Sequence, residues 1–85
     1  MQLPPHLVSA IESTHVAFEG LSHPLRIVSV DQAGPGAEGT IEITVGSSHE
    51  GRPVQCVCRF GPDELQDEKL VTAALADAVR AKLSR

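Results

Sequence analysis

In TIEITV, residues 40–45, the apolar Ile41, Ile43 and Val45 alternate without a break with Thr40, Glu42 and Thr44. PVQCVCRF, residues 53–60, repeats the pattern, with Val54, Cys56, Cys58 and Phe60 on one side. Successive side chains of a strand point to opposite faces, so each stretch predicts a strand buried on one face and open on the other. Only GSSHEGR, residues 46–52, separates them, and so short a loop predicts an antiparallel hairpin. A hairpin with one apolar face must be covered by a second layer.

The C-terminal segment supplies that cover. Val71, Ala74, Leu75, Ala78, Val79 and Leu83 form one stripe at helical spacing. Asp63 reads as the helix cap, with Gln66 three residues on completing a capping box. Acids crowd the first turns and Arg80, Lys82 and Arg85 the last, which complements the helix dipole. At the other end, Leu7, Ala10, Ile11, Thr14 and Phe18 share a helical face, with Pro4 and Pro5 at its start and Gly20 past its end. A rival reading makes HVAFEG a short strand with Val16 and Phe18 inward. Ser22-His23-Pro24 interrupts the pattern, and LRIVSVD, residues 25–31, reads as a strand from its β-branched content. Its buried face stays open between Leu25 with Ile27 and Val28 with Val30. QAGPGAEG, residues 32–39, is a turn. The expectation is one α+β domain over residues 1–85: a three-stranded antiparallel meander with both terminal helices packed on one face, α-β-β-β-α. The other face, lined by Thr40, Glu42, Thr44, Gln55 and Arg59, is the candidate interaction face.

Chemistry has few footholds in this chain. Cys56 and Cys58 are its two cysteines, expected mid-strand beside Val54 and Phe60 and away from any cation that would activate a thiolate. Two residues apart in a strand, their Cα atoms would lie ~6.6–6.8 Å apart, at the limit for a disulfide. C-x-C is shorter than zinc-ligand spacing and lacks a second cluster; His49 could approach one cysteine, which leaves a fourth ligand unnamed. His6, His15 and His23 read as surface or boundary histidines. GPGAEG, residues 34–39, fits G-x-G-x-x-G, but a strand follows where the dinucleotide motif needs a helix. No catalytic, cofactor or metal residue is expected, and no enzymatic activity.

The formal charge of −4, from 11 acidic and 7 basic residues, gathers no phosphate-binding face. No run reaches the ~18–20 apolar residues of a membrane span, and MQLPPHLVSAIESTH lacks the basic-then-apolar order of a secretory signal. A soluble, cytoplasmic protein is expected. With Phe18 and Phe60 as its sole aromatics, the core must be built from Leu, Val, Ile and Ala.

The expected α-β-β-β-α order, the Gly34-Pro35 turn after the first strand, and the alanine-rich final helix TAALADAVRAKL resemble the double-stranded-RNA-binding domain. That resemblance implies the fold and, in the family, RNA contacts. Here Gly36-Ala37-Glu38 stands where the family places a groove-entering His. DELQDEK stands where it opens its last helix with phosphate-clamping lysines. Such an acidic turn repels a phosphate backbone, so the fold carries over and the RNA contacts do not. GRPVQCVCRFGPDEL also looks like small uncharacterised proteobacterial proteins, which implies a bacterial source. The function expected is a non-catalytic module that binds another protein or itself through the open sheet face or strand edges. The alternative is a nucleic-acid-binding domain of the double-stranded-RNA-binding type.

Overall fold

The computed structural model describes residues 3–32, 34, 36 and 39–84. The chain runs from helix α1 (Pro5–Glu12) through strands β1 (His15–Phe18), β2 (Leu21–Pro24), β3 (Arg26–Gln32), β4 (Ile41–His49) and β5 (Arg52–Phe60). A 3₁₀ turn (Glu64–Gln66) then leads into helix α2 (Glu68–Leu83). β3, β4 and β5 form the antiparallel meander between the helices, an α+β arrangement, and β1 and β2 add a second, two-stranded sheet. The Gly34-Pro35 turn and the GPGAEG motif fall partly on residues outside those described.

The β1–β2 hairpin corrects the expected first helix, which stops at Glu12. Leu7 and Ile11 are buried on α1, but Thr14 turns its hydroxyl back to the Ala10 carbonyl at 2.7 Å, and Val16 and Phe18 enter a strand. Tertiary pairing overrides helical spacing here. β1 matches β2 residue for residue, Val16 against His23, across the turn Glu19-Gly20. Both turn residues have positive φ, 52° and 76°, the mark of a type I′ hairpin turn, which glycine favours at its second position. Gly20 is therefore a turn residue and not a helix cap.

The same chemistry recurs at Glu50-Gly51, with φ of 52° and 80°. The expected loop 46–52 is accordingly mostly strand: β4 runs to His49, β5 starts at Arg52, and those two residues are partners. A register shift between Ile27 and Ser29 resolves the ambiguous face of β3. This bulge lets Ile27 and Val30 both turn toward the core while Val28 faces out. Val28 crosses over Gly46, where a Cβ would sit 3.2 Å from its methyl.

Ile41, Ile43, Val45, Cys56 and Phe60 meet Val71, Leu75, Val79 and Leu83 of α2, with Leu3, Leu7 and Ile11 closing one side. Both helices thus cover one face of the meander. α2 begins one turn later than the sequence predicts. The Asp67 carboxylate accepts from the Leu70 amide at 3.1 Å and caps it, while Asp63 makes no side-chain cap.

Candidate functional site

Side chains at alternate positions of β4 and β5 line the uncovered sheet face. Glu42 faces Arg59 across the strands, and their side chains pair at 2.8 Å. Thr44 stands opposite Val57, and Gly46 opposite Gln55, so these residues share the face as the alternation demands. Thr40 lies just before β4 and is half-buried. Two apolar residues of this face were not picked out from sequence. Val57 is 58% exposed and Val28 is 43% exposed. Val57 was legible from the alternation; Val28 was not, because only the bulge turns it outward. Beside the face, Pro24, Arg26, Gly46, Ser48 and Pro53 border an open groove of about 400 Å³ at the junction of β2 and β3.

A second constellation lies at the hairpin end of the molecule. His49, the last residue of β4, continues the inward row of Ile43 and Val45 and is 4% exposed. His23 of β2 is 5% exposed, a correction to its reading as a surface or boundary residue. Their rings meet edge to face, 4.9 Å between centroids, and Phe18 stands edge-on to His49 at 5.2 Å. His23 Nδ1 lies 3.0 Å from the Ser48 carbonyl. A carbonyl only accepts, so that nitrogen carries a proton and donates it to the Ser48 oxygen. His23 Nε2 and His49 Nδ1 are both buried with no hydrogen-bond partner.

The two type I′ turns bring carboxylates to the same place. Glu19 approaches His49 Nε2 to 3.3 Å, and Glu50 approaches it to 4.0 Å. Both glutamates are exposed while the imidazole is buried. One ligand atom from each of the three residues falls within 4.8 Å of the others. Glu-Gly occurs three times in the sequence, at 19–20, 38–39 and 50–51, so the dipeptide marks turn candidates without singling out the two that converge here.

His49 does not approach a cysteine: its partner Arg52 lies four residue steps along β5 from Cys56, about 13 Å at the rise of a strand. Cys56 is buried and its Sγ lies 3.3 Å from the Ala78 carbonyl, whereas Cys58 is half-buried. Burial, and then the neighbouring Cys56, push the Cys58 thiol above its ordinary range, the reverse of what a cysteine nucleophile needs. Among the described residues no helix is long and apolar enough to cross a membrane. Comparison with protein-family models, with curated proteins and with solved structures returned no match.

Proposed function

We propose that the protein is a non-catalytic interaction module that binds a protein partner on the open face of β3, β4 and β5. The observation that carries this reading is the exposure of Val57 and Val28 on a face that neither helix covers. Exposed valines beside a paired Glu42–Arg59 give an apolar centre with a charged margin, the composition of a docking surface. Arg26 and Asp31 extend the margin with both signs, so a second copy of the chain can satisfy it as well as a different protein can.

The test places a photo-crosslinking residue at position 57 and, separately, at Ala73 on the exposed side of α2. Crosslinks concentrated at position 57 and lost when Val28 and Arg59 become Lys and Glu support the reading. Equal crosslinking from both positions overturns it. Light scattering of the purified chain then decides between a second copy and a different partner. Tight binding of duplex RNA that weakens steeply with salt would also overturn it, in favour of a phosphate-binding face.

A further inference from the structure

We propose that Glu19, His49 and Glu50 form a binding site for a divalent transition-metal ion of the zinc class, held between the two type I′ turns. The site is distinct from the open sheet face and independent of the docking role proposed for it.

The spacing of the donors carries the inference first. Tetrahedral zinc bound at ~2.0–2.1 Å sets its ligand atoms ~3.3–3.4 Å apart. Glu19 Oε2 stands 3.3 Å from His49 Nε2, longer than the ~2.9 Å a charge-assisted N–H···O bond prefers. Glu50 Oε1, at 4.0 Å, needs only a rotamer adjustment of an exposed side chain to close on the same point. The donor set, one imidazole and two carboxylates, suits zinc, whereas calcium takes six to eight oxygens. Both carboxylates face solvent, so a fourth position is left for water.

Burial of the histidines is the second, independent observation. A polar ring nitrogen buried without a partner is costly; this cluster holds two, His23 Nε2 and His49 Nδ1, on adjoining rings behind the Nε2 of His49 that faces the carboxylates. A purely structural role would be filled more favourably by apolar side chains, as Leu25 and Val16 fill the neighbouring positions. An imidazole that is 4% exposed, with its Nε2 directed at two exposed carboxylates, has the form of a ligand fixed by its surroundings. An ion on Nε2 requires that nitrogen's lone pair, so a neutral His49 holding it would carry its proton on Nδ1. The loose ends of two hairpins are then tied at one point, Glu19 from one sheet and His49 with Glu50 from the other.

Zinc chloride titrated into tag-free protein, with a reductant that does not chelate metal, is the test. Melting is followed with and without EDTA, and the histidine ring nitrogens are followed by long-range ¹⁵N correlation. Saturating zinc should raise Tm by at least ~5 °C, since a ligand at a hundredfold excess over its Kd stabilises a domain of this size appreciably. His49 Nε2 should move to a metal-bound shift while His23 keeps its tautomer. The variant Glu19→Asn with Glu50→Asn retains its fold, because Asn suits positive φ at the first position of these turns. It should lose the whole response. No rise in the wild type, or a rise kept by the double variant, overturns the site, and the latter places the metal away from the two turn carboxylates. Should the double variant melt early, the wild-type His49 signal decides alone: a metal-bound shift supports the site and an unmoved one overturns it.

Discussion

Cys56 and Cys58 share a face of β5, yet the two sulfurs have different surroundings. Cys56 is sealed beneath α2 against the Ala78 carbonyl, while Cys58 is half-buried. Native protein should therefore label slowly with a disulfide reagent, Cys58 ahead of Cys56, and both should react fast in denaturant; fast native labelling of Cys56 would contradict its place in the core. The raised Cys58 pKa also gives stability a sign with pH. The fold favours the neutral thiol, so its contribution is full below the unfolded value near 9 and is lost as pH rises through the higher folded value. As pH rises above 9 the wild type should lose stability faster than Cys58→Ser, which can be read from denaturant midpoints. That the cysteines are core residues was legible in the sequence, since alternation alone assigns them a face. The pairing of His23 with His49 was not, because it depends on which turns close two separate hairpins. Nothing within either local sequence records the other.

At the scale of elements, the legible parts are those whose pattern and partner lie in the same stretch. β4, β5 and α2 announce themselves through alternation or a helical stripe, and their positions follow. α1 is the instructive case. Leu7, Ala10, Ile11, Thr14 and Phe18 obey helical spacing, yet the helix stops at Glu12 because β1 gains a full ladder with β2. Periodicity counts candidates for a face and says nothing about a competing strand partner three to nine residues away. The start of α2 is ambiguous in sequence for a related reason: Asp63 and Asp67 are both good caps, and only the 3₁₀ turn between them decides. Asp67→Ala should cost about 1 kcal/mol in denaturant unfolding, and Asp63→Ala much less, since its side chain caps nothing. Equal costs would return the helix start to Asp63. Gly51→Ala, at φ 80°, forces a side chain into the left-handed region and should cost about 1–2 kcal/mol. Gly46→Ala tests a different effect, a methyl driven against Val28 at 3.2 Å.

The whole molecule is a slab of 39 × 23 × 16 Å, one layer of helices on one layer of strands. With one layer of cover, few side chains carry the core. Leu75 is fully buried at the middle of α2, and Leu75→Ala should cost about 2–5 kcal/mol. A chain of this length has about 5–10 kcal/mol in all. The variant should therefore be partly unfolded at body temperature by circular dichroism, and an unchanged melting curve would show that α2 contributes little. The α+β class followed from the sequence because apolar faces have to be covered, and the segments able to cover them are few. One feature of β5 bears on how such a slab stays dispersed. The two-residue turn makes His49 and Arg52 a hydrogen-bonded pair, so the next pair, Ser48 with Pro53, is not bonded, and the Pro53 nitrogen faces the outer edge of the sheet. Proline has no N–H to give there, and Arg52 flanks it with charge. A neighbouring chain that tried to extend the sheet along β5 would lose its first bond at Pro53, so stacking into fibrils is cut short at the end of the strand nearest the turn.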